Sequence, residues 1–498
     1  MDKVKALLTN FPEAFARASI EKADDVEIRR YVAELSVLDT LAAVPAKGTS
    51  FLELLDPATN SAGYLVLLNA IVNSDLTRLD YMPQLQDAIV GFVSAFRPAQ
   101  VRYVGRAFKE LLAGLVHKGV FSPRITIEIL TTAILRLDPT ASTFTSTHML
   151  LMKHAAETQS YLPALDIANR NILYFPVAVS SRHNMLGAMG DTSKRDFFLG
   201  DDSLSPPVFI TTGNGFTDKI TSAMILEYNY LRGLIFISQR NWKSAQAALE
   251  QVISHPSRDR GVSKIMVEAH QTWILVGLLS EGSTPVTPSY TSTHAKTSFQ
   301  GLNAAYTEFA KAFSQNNATE LKSLYEKHKS LWEEHKNLGL VEEVMKGYQQ
   351  WQILQLRKAY SNITLGQIWR STQNAYTGNQ LSSEGEVAEL IQSMIANGAL
   401  QAKLETSDDG VTYVSFEERA VVQTEAEYAH EIARCHRNVK QLTAQYKFIG
   451  EQLASNDEYV KFVAREQKRA DKDGPDPGVG FDSQIEDEDL MTGIVAHG

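Results

Sequence analysis

Apolar positions recur every three to four residues along most of the chain, which is the spacing of one buried face of an α-helix. Residues 1–56 show this pattern twice and predict two amphipathic helices. Further helical stretches follow up to residue 160 and are separated at Pro83, Pro98, Pro123 and Pro139. Evenly spaced breaks between helices of this length indicate stacked helix pairs. We therefore predict a mainly α chain that begins with a TPR-like helical-repeat solenoid, with residues 1–160 as the N-terminal repeats.

One helix pair matches part of the tetratricopeptide pattern. Gly233, Phe236, Ala245 and Leu249 occupy its glycine, aromatic, alanine and phenylalanine positions, and Pro256 lies near its terminal proline. Small residues are needed where the two helices of a repeat approach closely. An ordinary bundle can produce the same match, so this pair supports the repeat architecture only. Residues 161–357 are predicted to continue the repeats.

Two segments interrupt the helical pattern. Val177–Thr217 is rich in Gly, Ser, Asp, Thr and Pro and predicts a long, mobile loop or insertion. Gly282–Thr297 predicts a shorter Ser/Thr/Pro linker. The helical pattern then resumes in Gly301–Arg357 with a series of aromatic residues, which is typical of a core between helices. The series is Tyr306, Phe309, Phe313, Tyr325, Trp332, Tyr348 and Trp351.

Residues 358–418 predict a winged helix. Two helices begin with capping boxes, Thr364 with Gln367 and Ser383 with Glu386. Gly398 supplies a left-handed stop after the second helix. The apolar face of that helix consists of Val387, Leu390, Ile391, Met394 and Ile395.

A hairpin follows these two helices. Ala399–Leu404 and Val411–Phe416 are short extended runs on either side of Asp409-Gly410, and Asp-Gly is a strong hairpin signal. We expect Val411–Phe416 to be the outer or closing strand. Edges of such small sheets can add to those of a neighbouring domain.

The charge of the second helix disfavours nucleic acid as a ligand. Glu384–Asn397 contains no Lys or Arg, and Asp408 and Asp409 lie in the predicted turn. A recognition helix needs basic groups near phosphate, so we expect a protein partner instead. The net charge of −10 and a pI of about 5.7 agree with this expectation.

The segment after the hairpin carries a heptad seam. Its apolar positions step alternately by four and three residues, as in the a and d positions of a coiled coil. They are Tyr428, Ile432, Cys435, Val439, Leu442, Tyr446, Ile449 and Leu453. Residues 419–469 therefore predict a long C-terminal helix, which could fold back on its own winged helix or join a bundle of partner helices. From Ala470 onward the composition predicts a disordered acidic tail, residues 470–498.

The sequence offers no candidate for enzyme chemistry, and we assign no catalytic, cofactor-binding or metal-ligating residue. The chain lacks a phosphate-binding loop, HExxH and His-x-His. His328 and His335 lie seven residues apart, which we interpret as solvated helix positions rather than a zinc site. The single cysteine, Cys435, excludes an intramolecular disulfide and is expected to be a small buried thiol on the seam. Neither a secretory signal nor a membrane span is predicted.

The motifs of residues 360–416 resemble the C-terminal half of a PCI domain, a family named after the proteasome lid, the COP9 signalosome and initiation factor three. The resemblance departs at Thr372–Leu381, where the spacer between the helices is longer and more polar than usual. The matching positions are Tyr360, Ile363, Thr364, Leu365, Glu384, Glu386, Val387, Met394, Ile395, Gly398, Ala402, Lys403, Leu404, Val414 and Phe416.

Upstream runs resemble the family of third subunits of the COP9 signalosome. These runs are Val101–Phe108, Tyr161–Ile167 and Asn316–Val344, and the resemblance covers most of residues 85–416. It implies a non-catalytic scaffold subunit, found in nucleus and cytoplasm, of the complex that removes Nedd8 from the cullins of cullin-RING ubiquitin ligases. The deneddylase activity would belong to another subunit.

The resemblance also implies partners and no cofactor. The partners are other PCI subunits, with subunits one and eight as neighbours in family order, the C-terminal helical bundle of the complex and, indirectly, cullin-RING ligases. Nucleic acid and membranes are not among them. The predicted interface comprises Val411, Tyr413, Val414 and Phe416 together with the eight seam residues. Alternatives are a PCI subunit of the proteasome lid or initiation factor three, or a PCI-type nucleic-acid adaptor.

Overall fold

A computed structural model describes residues 7–17, 19–37, 51–74, 82–176, 198–202, 204–256, 261–407, 411–416 and 425–454. The predicted tail, Asp408–Gly410 of the predicted turn and the first part of the predicted insertion lie outside these ranges. The chain divides into two units, one of residues 1–178 with 198–421 and one of residues 179–197 with 422–498. Within the described ranges, every helix is too short or too polar to cross a membrane.

The first unit is mainly helical, as the sequence predicts. Its helices are α1 (Asp25–Val37), α2 (Ser61–Asn73), α3 (Met82–Ala95), α4 (Pro98–Val101), α5 (Gly105–Lys118), α6 (Pro123–Leu137), α7 (Ser146–Glu157), α8 (Leu165–Ala168), α9 (Pro206–Phe209), α10 (Ser222–Ser238), α11 (Trp242–Ile253), α12 (Lys264–Glu281), α13 (Thr293–Leu302), α14 (Ala304–Ser314), α15 (Ala318–Glu334), α16 (Leu338–Leu356), α17 (Leu365–Ser371) and α18 (Glu384–Ala396). Short 3₁₀ turns lie at Glu13–Ala16, Lys22–Asp24, Phe51–Leu54, Arg102–Val104 and Leu162–Ala164.

The sequence breaks mark helix ends for identifiable reasons. Pro98 and Pro123 occupy the first helical position, where a backbone N–H has no partner in the helix. Asn60, Thr145 and Thr221 cap α2, α7 and α10 by accepting a hydrogen bond from a backbone N–H of the first turn. One continuous hydrophobic core then runs through the repeats, from Leu8 to Ala375.

The helix pair α10–α11 has the close approach that its sequence predicts. A Cβ atom at Gly233 would lie 2.9 Å from the Leu249 side chain, so any larger residue here would force Leu249 to move. Phe236, Ala245 and Leu249 are buried in the same contact region.

Part of the predicted mobile insertion is packed into the repeats. Phe209 and Phe216 are buried, and their ring centroids lie 6.0 Å apart in an edge-to-face contact. The guanidinium carbon of Arg102 lies 4.3 Å from the centre of the Phe209 ring. Arg102 also donates from Nη1 to the carbonyl oxygens of Leu199 and Asp201, at 3.2 and 2.5 Å. Residues 198–202 and 204–217 are therefore a structural part of the arm, contrary to our expectation that the whole loop or insertion is mobile, because apolar side chains occur there among the turn residues.

The predicted linker is also shorter than expected, since α13 begins at Thr293. The aromatic series that follows forms the core between α14, α15 and α16, as predicted. Tyr306, Phe309 and Trp332 are fully buried, and the Tyr306 and Trp332 rings meet edge to face at 4.6 Å.

The winged helix consists of α17, α18 and three strands, β1 (Asn362–Thr364), β2 (Ala402–Thr406) and β3 (Thr412–Phe416). It has a core of its own, to which α16 contributes Ile353. The core residues are Ile353, Ile363, Leu365, Ile368, Val387, Ile391, Met394, Leu400, Ala402, Val414 and Phe416. Gly398 is left-handed at φ 69°, as the sequence predicts.

Only one of the two predicted capping boxes is complete. Thr364 and Gln367 exchange both side-chain-to-backbone hydrogen bonds at the start of α17. At α18, Ser383 accepts from the backbone N–H of Glu386, whereas the Glu386 carboxylate accepts from the backbone N–H of Ser382 instead. The cap by Ser383 remains, and the backbone N–H that donates to the Glu386 carboxylate is shifted by one residue, from Ser383 to Ser382.

Candidate interaction surfaces

The strand order of the winged-helix sheet is β1–β3–β2, and both pairings are antiparallel. β3 is therefore the central strand: of our two expectations for Val411–Phe416, an outer or a closing strand, the outer one is wrong, and the strand closes the sheet by pairing with both of the others. This order was hard to predict, because β1 has only three residues and is too short to show a periodic pattern. Val414 pairs with Ile363 on one side and Leu404 on the other.

Side chains alternate between the two faces of the hairpin strand, which divides its four predicted interface residues into two pairs. Val414 and Phe416 are 0% and 7% exposed and lie in the winged-helix core, so their side chains serve this chain's own fold. Val411 and Tyr413 are 41% and 38% exposed and are available to a partner. The role of these residues in an interface stays a prediction.

β2 forms one edge of the described sheet. Lys403, Glu405 and Thr406 are exposed on this strand, whereas Ala402 is buried beneath it. A strand at an edge can pair with an added strand from another chain through its backbone. β2 is thus one edge that a neighbouring sheet could extend, and it lies before the predicted turn rather than after it.

The helix α18 presents an acidic face. Glu384, Glu386 and Glu389 are all exposed, while Val387, Ile391 and Met394 are buried in the winged-helix core. Negative charge in the first turn is favourable for the helix itself, because it lies near the positive end of the helix dipole. The same charge repels phosphate, which agrees with a protein partner rather than a duplex.

The second unit contains one described helix, α19 (Glu425–Ala454), which covers the whole predicted seam. Apolar seam residues on it are more than half exposed: Tyr428 61%, Ile432 58%, Val439 60%, Leu442 60% and Tyr446 77%. Cys435 is exposed as well, so our expectation of a buried thiol is not met in the isolated chain. The side chains of Ile449 and Leu453 lie outside the described part of the structure.

His328 lies in α15 and His335 follows its last residue. Contrary to our expectation, neither is a solvated helix position. His335 Nδ1 lies 3.0 Å from the Tyr306 hydroxyl, and its ring stacks on Tyr306 at 5.9 Å. His328 contacts the edge of Trp332 and is half-buried. Both therefore pack against core aromatics. Among the described residues, no three His, Cys, Asp or Glu side chains are grouped as metal ligands.

The long spacer between α17 and α18 joins the winged helix to the repeats. Its backbone closes on itself, since Asn374 N donates to Asn379 O and Gly378 N to Asn374 O, at 2.8 and 2.9 Å. Ala375 is buried in the repeat core, and the Tyr376 hydroxyl donates to the Glu342 carbonyl at 3.2 Å. This joint was missed from the sequence, although the paired asparagines around Gly378 are a turn signal.

Helical repeats that run into a winged helix through a shared helix, followed by a long C-terminal helix, define a PCI-type subunit. The sequence matches the family model for the N-terminal helical repeats of COP9 signalosome complex subunit 3 over residues 28–184 and 209–295. The unmatched interval ends where the buried Phe209 begins.

Similar proteins extend this match to the whole chain. COP9 signalosome complex subunit 3 of Neurospora crassa is 33% identical over the full length of both chains. That of Emericella nidulans is 28% identical over 83% of this chain and 82% of its own. The chain belongs to the COP9 signalosome subunit 3 family, and its partners therefore include other signalosome subunits.

Proposed function

We propose that the chain is a non-catalytic scaffold subunit, and that another signalosome subunit carries the activity that removes Nedd8 from cullins. The supporting observation is the exposed heptad seam of α19. Five apolar side chains of one helix face lie in water in the isolated chain, which is unfavourable unless a partner covers them. Each Leu-sized side chain that a bundle buries contributes about 1.5–3 kcal/mol.

The winged helix supplies the second contact in this proposal. Its β2 edge and the exposed Val411 and Tyr413 suit an added strand from a neighbouring PCI subunit. Subunits one and eight are the proposed neighbours, cullin-RING ligases the indirect partners, and nucleus and cytoplasm the proposed location. The acidic α18 supports a protein partner over a nucleic acid.

The seam is tested by a double variant, Val439→Glu with Leu442→Glu. Both side chains are 60% exposed, so the melting temperature of the lone chain should stay within about a degree of wild type. Co-expression with the other signalosome subunits should give much less assembled complex, because two charges would have to be buried in the bundle. The measurement is the co-purification yield beside the melt.

Lys440→Glu is the matched control, because it changes the net charge by the same amount on the polar face of the same helix. It should assemble normally. Full assembly of the double variant would refute the seam as a subunit interface. A large drop in its melting temperature would show that the seam is instead part of the chain's own fold.

The non-catalytic role has a separate test. The purified chain should leave a Nedd8–cullin conjugate intact, whereas the assembled complex cleaves it. Cleavage by the isolated chain at a rate that scales with its concentration would overturn the proposal.

A further inference from the structure

The residues of the α19 seam favour one kind of helix pairing. In heptad notation, Ile432, Val439 and Tyr446 occupy a positions, whereas Cys435 and Leu442 occupy d positions. All five side chains are exposed in the isolated chain. β-Branched residues at a with leucine at d favour two parallel helices over three or four. The centre of the seam, from Ile432 to Leu442, therefore has the pattern of a two-stranded pair.

The positions that flank the seam carry one acidic and one basic group. Glu431 is at a g position, and its side chain is 43% exposed. His436 is at the e position of the next heptad, five residues later, and is exposed as well. In two parallel helices in register, a g residue of one helix faces the following e residue of the other. Glu431 of one copy of the chain would therefore face His436 of a second copy.

The same two residues disfavour an antiparallel pair. Among the e and g positions of residues 428–453, Glu431 and His436 alone are ionisable. Reversal of one helix brings g positions opposite g positions and e positions opposite e positions. Glu431 would then face an uncharged residue or a second Glu431, and His436 would face no carboxylate. Because charges at e and g set the orientation of paired helices, these residues favour the parallel arrangement.

We propose that, in the absence of other signalosome subunits, the chain pairs with a second copy of itself through α19, as a parallel two-stranded coiled coil in register. The interface has two-fold symmetry, because each copy presents the same surface to the other. It covers the seam that the proposed bundle would cover, so self-pairing and assembly exclude each other. That exclusion rests on the proposed function, whereas the pairing itself rests on the helix alone.

Self-pairing has a consequence for the subunit before it is assembled. Apolar side chains exposed on a lone subunit promote non-specific association, and pairing removes them from water. A paired copy must dissociate before it enters the complex. The rate of assembly should therefore rise less than in proportion to the concentration of this chain.

Sedimentation equilibrium of the full purified chain tests the pairing. The mass should rise with concentration from 55.3 kDa towards twice that value. A short bismaleimide, which links two thiols, should join two chains through Cys435, the only cysteine, because a d residue meets its own counterpart in a parallel pair in register. Val439→Glu with Leu442→Glu should abolish both signals. Lys440→Glu, on the polar face of the same helix, should pair as wild type.

Charge exchange tests the orientation, in mildly acidic buffer in which imidazole carries a proton. Glu431→Lys should weaken the dimer by about threefold, because it places a cation opposite His436 of the second copy. Addition of His436→Glu should restore the affinity, since the charges are then exchanged. The ion pair that Glu431 forms with Arg434 of its own helix is lost in both variants, so the recovery reports on the contact between copies.

A mass that stays at 55.3 kDa at every concentration overturns the proposal, as does a dimer that survives the double seam variant. A trimer, a dimer that the bismaleimide does not link, or a charge exchange without recovery contradicts the parallel two-stranded arrangement. If the wild-type chain is monomeric and the double seam variant still fails to assemble with other subunits, self-pairing is refuted while the bundle contact of the proposed function stands.

Discussion

Gly233 of α10 faces the side chain of Leu249 of α11 so closely that a methyl group added at Gly233 would lie 2.9 Å from it. This contact sets the distance between the two helices of the repeat. Gly233→Val should therefore force the helices apart and destabilise the chain by about 1–3 kcal/mol. Urea unfolding followed by circular dichroism measures the change.

Gly339→Ala is the matched control for this variant. Gly339 also lies in a helix, α16, but a Cβ atom there would meet nothing within 4 Å. Alanine should stabilise the chain by several tenths of a kcal/mol, because it restricts the unfolded chain more than glycine does. A Gly233 variant as stable as wild type would show that the repeat adjusts without strain.

Val414 and Tyr413 are neighbours on β3 with opposite surroundings. Val414→Asp should destabilise the winged helix by several kcal/mol, since it places an unpaired carboxylate in the core. Tyr413→Asp should leave the isolated chain stable, because Tyr413 is 38% exposed. Thermal melts of both variants, beside their yields of assembled complex, separate folding from binding.

If Val414→Asp loses assembly and Tyr413→Asp does not, the loss is explained by the unfolding of the winged helix. Loss by Tyr413→Asp with an unchanged melt would identify the exposed face of the hairpin as a contact surface. If Tyr413→Asp assembles as wild type, that face is not required.

His148 makes the stability of the repeats depend on pH. It is 1% exposed on α7, and its Nδ1 lies 2.8 Å from the Thr145 hydroxyl. Burial lowers the pKa of His148 to about 4, although the Asp138 charge acts in the opposite direction. The unfolded chain, with a histidine pKa of about 6.5, therefore binds this proton more readily, and stability falls as the pH drops from about 6.5 towards 4.

The expected contribution of His148 is a loss of about 2 kcal/mol between pH 7.5 and pH 5. His148→Gln should remove that part of the pH dependence, whatever it does to stability at pH 7.5. His436→Gln, on an exposed position of α19, serves as the control. Urea midpoints at the two pH values test this, and equal slopes for wild type and His148→Gln would contradict it.

Arg102 holds residues 198–217 on the repeats. Arg102→Met removes two hydrogen bonds from a cation to backbone carbonyls, each typically contributing about 1.5–3 kcal/mol, and the contact with Phe209. Chymotrypsin should then cleave after Phe209 and Phe216 at least tenfold faster. Arg106→Met is the control, since the Arg106 side chain is 83% exposed and pairs with Glu110 on the surface.

Cleavage after Phe209 and Phe216 at the wild-type rate in Arg102→Met would show that the apolar contacts of those phenylalanines suffice. Faster cleavage in both arginine variants would indicate a general loss of stability rather than release of this segment.

The sequence predicts the elements of this fold better than their arrangement. Hydrophobic spacing predicted the repeats and the helix that carries the seam, and turn chemistry predicted the left-handed Gly398 and the two hairpin strands. The order of the sheet depended on β1, which has three residues and no periodicity of its own. Residues 198–217 were misread because composition counts the glycines and serines but does not show that Phe209 and Phe216 face the same core.

The interface residues show the same division. Alternation places Val414 and Tyr413 on opposite faces of β3, but it does not say which face meets the chain's own helices. For α19, the seam is evident from spacing alone, whereas Cys435 was misjudged because spacing shows that residues share a helix face but not whether another surface covers that face. Whether a seam residue is buried in an assembly depends on the partner and cannot be read from this sequence alone.

The pairing of β1 with β3 delays the folding of the winged-helix sheet while the protein is being synthesised. β1 leaves the ribosome about fifty residues before the strand that must pair with both it and β2. Until Phe416 has emerged, the growing chain carries a finished helical arm and an unpaired hairpin half. Because domains fold from the N-terminus during synthesis, the arm can be complete before the sheet exists. A ribosome that stalls before residue 412 would therefore leave exposed the part of the winged-helix core that Val414 and Phe416 normally cover.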